Sequence, residues 1–320
     1  MALEAEVVAE ARLDRIRSVI ETDGTRSAFT VEAGDGLLVL DPDLTVQDEW
    51  RTSLPRRGTH AADPARGIAL ISDSDQVRLI DRRGRLLWSH EHVPWKPGRG
   101  FEAGCAWFDH GGDAYAVVPE PSFEGCHIVR LDIGSGQVKA RSLIEAVPAG
   151  ITPVHHRDGW VGLSEGEGQD GLRAWWVRSR PEPSPEFDLL DGGWDDEILV
   201  DVDPTGTRIL NATPDGGPLQ VRSFPGLDVL RIIEPPEGDE DRGWDWSACF
   251  ADDFIISKLT NYDRDTEDLL AVAPDGTIHS LGITYRLDTD YDGEDLTPAG
   301  DGTWLMTSKT GIRRYCLTRR

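Results

Sequence analysis

The chain has 320 residues, and its 58 acidic and 33 basic side chains give a formal net charge of −25 at pH 7. An excess of negative charge on this scale repels phosphate backbones and anionic lipid surfaces, so nucleic acid and membranes are excluded as expected partners. The apolar share of 38% suffices for a core, and 34 glycines with 20 prolines suit many short strands joined by tight turns.

The first element in chain order is an N-terminal segment that fits either of two structures. Leu3, Ala5 and Val7 alternate with acidic residues, as in a half-exposed strand. Val8 and Arg12 fall near one face of a helix. The local pattern leaves both structures open, and the far end of the chain decides between them.

The clearest structural unit follows within residues 60–92. In its third strand, Val77 and Leu79 alternate with polar residues, and this period of two is typical of a strand. Tight turns rich in Asp and Gly separate the apolar runs, which indicates a four-stranded antiparallel sheet. The predicted strands are His60–Ala62, Gly67–Ser72, Gln76–Asp81 and Arg85–His90.

The same pattern recurs along the whole chain. Seven third strands are found at intervals of about 40 to 50 residues, the period of propeller blades, and all but the last are followed by a partner strand. Stacking such sheets around an axis buries both of their apolar faces. The sequence therefore predicts one all-β domain over residues 1–320, a seven-bladed β-propeller of four-stranded antiparallel blades. The blades are predicted to be centred near residues 40, 78, 130, 175, 220, 270 and 313.

The seventh blade lacks an outer strand in this scheme. Only four residues follow Cys316, where its third strand ends. An unpaired sheet edge would invite aggregation. We therefore predict that the N-terminal segment forms a strand over Leu3–Ala11 and closes the ring, in preference to the helix.

Residues 59–88 resemble a known repeat family. Thr59 and His60 are followed by a proline-containing turn, an apolar strand, the turn residue Asp75 and a strand that ends in Asp81. This order is similar to a divergent WD40 repeat. The resemblance implies a propeller fold, a binding or scaffolding role, and a structural hydrogen bond between Asp75 and His60.

The sequence departs from the WD40 pattern in other blades. Third strands end in Asp41, Asp81 and Asp132 without the tryptophan that gives the family its name. The dipeptides Trp194-Asp195 and Trp244-Asp245 are predicted to precede first strands, which is not where the family signature lies. The resemblance therefore covers one blade well and the other blades only in outline.

The loops that lead into the first strands share a composition. Glycine or a neighbour, then an aromatic, then an acid recurs in four of them, and the loops that join second to third strands are acidic too. Since both sets gather on one face of a propeller, we predict a surface of aromatic rings surrounded by carboxylates. The residues predicted to bind are Phe101, Glu102, Trp194, Asp195, Trp244, Asp245, Trp246, Tyr291 and Asp292.

Such a surface suits a cationic partner. A protein segment rich in Arg or Lys would bind through charge and cation–π contacts, and a sugar or a small cationic molecule is an alternative. A structural interpretation stays open, in which each aromatic fills the gap between adjacent blades and each acid caps a turn. The leading function is a binding or scaffolding module.

An enzyme of hydrolase or lyase type is the alternative function. Carboxylates around the central channel would perform its acid–base steps. His155 and His156 are adjacent on a predicted first strand, so at most one faces the channel, and a structural role is favoured for each. No GxSxG, Walker or HExxH motif is present. The candidate residues are Asp195, Asp196, Asp245, Asp292, His155 and His156.

Residues 288–295 begin like a calcium-binding loop. Asp288, Asp290 and Asp292 fit its first ligand positions, but the twelfth position requires a carboxylate and holds Ala299. A solvated acidic turn is therefore preferred over calcium, and no cofactor is expected.

The cysteines and the N-terminus indicate the compartment. The four cysteines form no CxxC pair and lack zinc-finger spacing, so reduced, buried thiols are expected. The N-terminus has no basic start followed by an apolar run, and no stretch of about 18 uncharged apolar residues occurs. Scarce Lys and abundant Arg suit a GC-rich genome. These features predict a cytoplasmic, bacterial protein.

Overall fold

The computed structural model is all-β, and its strands form seven four-stranded antiparallel sheets. Each sheet is one blade of a seven-bladed β-propeller, so the predicted fold class is confirmed. The structure describes residues 3–13, 15–21, 28–34, 36–52, 59–95, 104–109, 112–122, 125–144, 151–166, 172–180, 186–193, 197–213, 216–236, 242–286, 295–308 and 310–319.

The strands are numbered in chain order. β1 (Leu3–Arg12) precedes the blades in the sequence. Blades one and two contain β2 (Ile16–Glu21), β3 (Phe29–Ala33), β4 (Gly36–Leu40), β5 (Val46–Arg51), β6 (His60–Asp63), β7 (Ile68–Ser72), β8 (Gln76–Asp81) and β9 (Leu86–Glu91). Blades three and four contain β10 (Ala106–Phe108), β11 (Ala114–Pro119), β12 (Cys126–Leu131), β13 (Val138–Ile144), β14 (Ile151–His155), β15 (Val161–Gly166), β16 (Leu172–Ser179) and β17 (Phe187–Gly193).

The remaining strands follow the same order. Blades five and six contain β18 (Ile198–Val202), β19 (Arg208–Ala212), β20 (Leu219–Ser223), β21 (Val229–Ile233), β22 (Arg242–Ala251), β23 (Phe254–Asn261), β24 (Thr266–Val272) and β25 (Ile278–Arg286). Blade seven contains β26 (Asp295–Pro298), β27 (Trp304–Ser308), β28 (Gly311–Arg319) and, as its fourth strand, β1.

The chain divides into two compact units. The four-blade unit comprises residues 20–41 and 46–195, and it contains blades one to four apart from the first residues of β2. The three-blade unit comprises residues 1–19, 42–45 and 196–320, and it contains blades five to seven. No helix in the described residues is long and apolar enough to cross a membrane.

The middle strands of the four-blade unit are buried on both faces. Every residue of β7 and β11 is buried, whereas four of the six residues of β9 are exposed. One apolar cluster joins blades two and three, and another joins blades three and four. Because neighbouring blades cover both faces, these strands have continuous apolar sequences instead of alternating ones.

The turn between β8 and β9 shows how a third strand ends. Asp81 accepts hydrogen bonds from the backbone N–H groups of Arg83 and Arg85 at 2.9 and 3.0 Å. Gly84 has a φ of +73°, and a Cβ atom there would lie 2.4 Å from the carbonyl oxygen of Arg51. The turn therefore requires glycine, and the acid at the strand end caps the turn.

The three-blade unit is held by two further apolar clusters, one between blades five and six and one between blades six and seven. All eight residues of β23 are buried. In blade seven the rings of Trp304 and Tyr315 stack with their centroids 5.8 Å apart and an interplanar angle of 12°.

The N-terminal segment is a strand, as predicted. β1 pairs antiparallel with β28 from Leu3 opposite Arg319 to Arg12 opposite Gly311, with an irregularity after Val7. Leu3 is buried in the apolar cluster of blades six and seven. This burial and the nine-residue pairing favour the strand over the helix, and they give blade seven its fourth strand.

Two of the sequence-based predictions are wrong for this chain, the contact of Asp75 with His60 and the position of Trp244-Asp245. Asp75 is exposed, while His60 is buried and its Nε2 has no hydrogen-bond partner among the described residues. Burial lowers the pKa of His60 to about 4, so the ring is neutral and no carboxylate compensates a charge there. The dipeptide Trp244-Asp245 lies inside the first strand β22, because this strand begins at Arg242 and continues through a bulge.

Removing residues 1–12 would leave β28 as an unpaired edge and uncover the cluster around Leu3. We expect the shortened protein to melt several degrees lower and to aggregate, as measured by calorimetry and size-exclusion chromatography. The double variant Val7→Thr/Val8→Thr changes two exposed positions of β1 and keeps β-branched side chains, so it should behave like the parent. Identical behaviour of the shortened and full chains would contradict the closing role of β1.

Candidate functional site

Most of the sequence-predicted site lies outside the described residues, and its roles stay predictions. The residues concerned are Phe101, Glu102, Trp194, Asp195, Asp196, Asp288, Asp290, Tyr291 and Asp292. The structure describes Trp244, Asp245 and Trp246 together on β22, and His155 and His156 at the end of β14.

A bulge in β22 separates the two tryptophans of blade six. Trp244 pairs with Leu259 and Ala248 pairs with Ser257, so three residues of β22 lie opposite one residue of β23. Trp244 is 1% exposed, and its Nε1 donates a hydrogen bond to the carbonyl oxygen of Ile233 at 3.1 Å. Trp246 is 55% exposed. Trp244 is thus part of the packing between blades five and six, whereas Trp246 is available to a partner.

A buried lysine lies opposite the bulge. Lys258 is 4% exposed, and its Nζ lies 2.8 Å from Oδ2 of Asp245 and 2.9 Å from Oε2 of Glu267. Ser247 donates a hydrogen bond to the same Oδ2 of Asp245 at 2.6 Å. The bulge therefore places Asp245 where it shares one ammonium group with Glu267.

This arrangement moves the pKa values in opposite directions. Burial alone would raise the pKa of Asp245, but the charge and hydrogen bond of Lys258 lower it below the ordinary value. Burial raises the pKa of Glu267, and Lys258 offsets this only in part. For Lys258, burial acts against the charged form, yet the two carboxylates outweigh it and raise the pKa. Asp245 is therefore an ion-paired carboxylate at neutral pH.

Further exposed aromatic and acidic residues lie in the next turn of blade six. Tyr262 is 56% exposed, and Asp263 and Asp265 are exposed beside it in the turn between β23 and β24. In the register of β22 against β23, Arg242 pairs with Asn261 next to this turn, and the bulge follows after Trp244, which pairs with Leu259. We refer to Trp246, Tyr262, Asp263 and Asp265 as the blade-six edge.

The two histidines lie in blade four, next to a cavity. His156 is buried, its ring meets Trp176 edge to face at 6.2 Å, and its Nδ1 accepts a hydrogen bond from the backbone N–H of Asp158 at 3.1 Å. His155 is half-buried and lines the cavity together with His156. Among the described residues, no cluster of three or more His, Cys, Asp or Glu side chains could hold a metal ion.

Lys258 was not predicted from the sequence, although a signal for it exists. It is the single charge in the apolar run of β23, in a chain where Lys is scarce. A lone ammonium in a buried strand requires carboxylates nearby. Asp245 was predicted as a binding residue of the acidic face, but its contact with Lys258, which Glu267 shares, depends on the register of three strands.

The fold defines the class of protein, a seven-bladed β-propeller. No protein-family model matches the sequence, and no curated protein matches it significantly. Solved structures with the same architecture do match, at identities that show the fold alone.

Three of these structures illustrate the likeness. Hsv2 of Kluyveromyces lactis is 9% identical, with a TM-score of 0.60 over 96% of this chain and 98% of that one. The β-propeller domain of Cps50 (Swd1) from Myceliophteria thermophila is 11% identical, with a TM-score of 0.58 over 98% and 100%. Hydrazine synthase of Kuenenia stuttgartiensis is 10% identical, with a TM-score of 0.53 over 96% of each chain.

The two tryptophans of β22 should respond differently to truncation. Trp244→Phe removes the hydrogen bond to Ile233 and leaves a void, so we expect a loss of about 2 kcal/mol in the free energy of unfolding. Trp246→Phe changes an exposed ring and should stay within about 0.5 kcal/mol of the parent. Urea unfolding measures both values, and similar losses would contradict the assigned burial.

Replacing the buried lysine should give a pH-dependent loss of stability. Lys258→Met leaves Asp245 and Glu267 without a cation, at a cost of about 3–5 kcal/mol near neutral pH. In the parent, the lowered pKa of Asp245 contributes stability above the ordinary aspartate pKa, and this is lost as the pH falls through the lowered value. In the variant, which lacks the ammonium group, both carboxylates are protonated at a higher pH than in the parent.

The stability difference between the parent and Lys258→Met should therefore shrink from about pH 7 to about pH 4. Urea unfolding at several pH values measures it. Lys139→Met is the matched control, because Lys139 pairs with Asp113 at a more exposed position and should cost about 1 kcal/mol or less. A difference for Lys258→Met that stays constant or grows as the pH falls would contradict the cluster.

Proposed function

We propose that the protein is a binding or scaffolding propeller whose blade-six edge engages a basic segment of a protein partner. The observation that carries the proposal is Trp246, a large aromatic side chain that is 55% exposed on a bulge of a first strand. The strand fixes the backbone of Trp246 before the partner arrives, so binding does not have to order a loop. Exposed tryptophans are frequent centres of protein interfaces.

The charges of the blade-six edge favour a basic partner over an acidic one. Lys258 partly neutralises Asp245 and Glu267, whereas Asp263 and Asp265 are exposed to solvent. Arg264 lies between them and is also exposed, so the turn carries two carboxylates against one guanidinium and keeps an excess of negative charge. The net charge of −25 adds a long-range field that attracts cationic segments and speeds their association. An Arg side chain over an exposed indole adds about 0.5–1 kcal/mol.

The architecture supports this role in general terms. A propeller holds its loops on rigid sheets, and binding residues are concentrated on loops and strand ends of such scaffolds. The likeness to the Hsv2 and Swd1 propellers concerns the fold, so the proposal rests on the blade-six edge. A cytoplasmic location would suit the reduced cysteines that the sequence predicts.

An enzyme of hydrolase or lyase type is the second candidate, and one observation favours it. The pKa of Asp245 is lowered and that of Glu267 is raised, although both carboxylates contact Lys258. Paired carboxylates with divergent pKa values are typical of acid–base sites. In that case Asp245→Asn would abolish turnover, whereas a binding face would lose affinity in a graded, salt-dependent way.

The test uses fluorescently labelled peptides rich in Arg and Lys, with peptides of equal length rich in Asp and Glu as references. We expect the basic peptides to bind selectively. Trp246→Ala should weaken binding about five- to tenfold at unchanged net charge. Asp263→Asn and Asp265→Asn should give smaller losses that disappear at high salt. Fluorescence anisotropy measures the affinities.

Leu230→Ala is the matched control. Leu230 is also 55% exposed, but it lies on the outer strand β21 of blade five. Equal losses in Trp246→Ala and Leu230→Ala would contradict the proposal, as would equal affinity for basic and acidic peptides. Fluorescence quenching by free sugars that Trp246→Ala removes would favour the carbohydrate alternative instead.

A further inference from the structure

A cavity of about 450 Å³ lies between blades three and four, within the four-blade unit. Its walls come from β10 and β11 of blade three and from all four strands of blade four, with the turn between β14 and β15. Cavities of this volume accommodate small organic molecules. The binding residues predicted from the sequence do not include its walls, and the proposed partner site on blade six does not involve it.

Aromatic rings form two of the walls at right angles. Trp107 and Tyr115 stack with centroids 5.6 Å apart and an interplanar angle of 14°. Phe187 meets Tyr115 edge to face, with centroids 6.2 Å apart and an angle of 78°. Trp160 lines another part of the cavity. Rings that meet at such angles surround a rounded apolar group on more than one side.

The charged groups in the lining leave an excess of negative charge. Arg178 lies 3.0 Å from Asp188, and Arg180 contacts both Asp188 and Glu186, so two carboxylates compensate these two cations. Asp109 accepts a hydrogen bond from the Tyr115 hydroxyl at 2.8 Å, and its carboxylate lines the cavity. Asp158 is a further carboxylate in the lining. An anionic ligand would therefore find no uncompensated cation among the described lining residues.

The lining already contains one cation–π contact. The guanidinium carbon of Arg178 lies 4.6 Å from the centroid of the Trp160 ring. The face of one lining ring, that of Trp160, thus already stabilises a positive charge at short range. A primary ammonium would in addition need acceptors for three N–H groups, whereas an alkylated ammonium has fewer or none to satisfy.

We propose that the cavity between blades three and four binds a small alkylated ammonium ion. The rings of Trp107, Tyr115 and Phe187 contact its methyl groups, and the carboxylate of Asp109 balances its charge. This site is independent of the blade-six edge, so the two proposals can fail separately.

The test compares choline, tetramethylammonium and benzyltrimethylammonium with the uncharged carbon isostere of choline, in which a tert-butyl group replaces the trimethylammonium group. Isothermal titration calorimetry measures each affinity at millimolar ligand. We expect at least one of the cations to bind, and choline to bind about tenfold more tightly than its isostere. Absence of binding by all three cations, or equal affinity for choline and its isostere, would overturn the proposal.

Two variants locate the binding in this cavity. Phe187→Leu removes the perpendicular wall and should weaken cation binding about tenfold. Asp109→Asn keeps the shape of the side chain and an acceptor for the Tyr115 hydroxyl. It should weaken the binding of the cations but not the binding of the isostere. Asp109→Asn also decides the question if Phe187→Leu fails to fold.

The matched controls lie in the three-blade unit. Phe254→Leu changes a comparably buried phenylalanine of blade six, and Asp301→Asn changes a carboxylate of blade seven that pairs with Arg314. Both should leave the affinity for choline unchanged. Equal losses in the cavity variants and in these controls, or no loss in either cavity variant, would overturn the assignment of the site.

Discussion

A sheet that is apolar on both faces has to be covered on both faces, and the rest of this structure depends on that requirement. The strands β7, β11 and β23 are buried along their whole length, and apolar clusters join successive blades within each unit. At about 25 cal/mol for each Å² of buried apolar surface, this burial is the main stabilising term. The outer strands need to be covered on one face only, as the exposed side chains of β9 show.

The sequence was sufficient to predict the blades because this requirement produces a recurring pattern of apolar strands and tight turns. The seven third strands occur where the recurring pattern places them, and the strand at Leu3–Arg12 followed from the need to pair β28. The hydrogen bond that the WD40 resemblance implied between Asp75 and His60 is not formed, since Asp75 is exposed and Nε2 of His60 has no partner among the described residues. A local motif predicts the position of a turn better than it predicts a contact between two side chains.

The candidate site was predictable only in part, for geometric reasons. Trp244 and Trp246 are the same residue type in the same acidic stretch, so the sequence does not distinguish them. Only the bulge in β22 makes Trp244 buried and Trp246 exposed. The contact of Lys258 with Asp245 and Glu267 joins three strands, and the aromatic cavity joins two blades. Such sites arise from register and from blade packing. Neither leaves a pattern along a single stretch of sequence.

The pairing of β1 with β28 has a consequence for how the protein is made. Arg313 contacts Glu10 across 303 residues of chain, whereas the four strands of blade two lie within residues 60–91. During synthesis, the earlier blades have all their strands available long before β28 leaves the ribosome. Strand β1, about half of whose residues are apolar, therefore remains unpaired for most of translation. Completion of blade seven is the step with the greatest entropic cost of loop closure. It is also the step at which a folding chaperone would protect an exposed strand for longest.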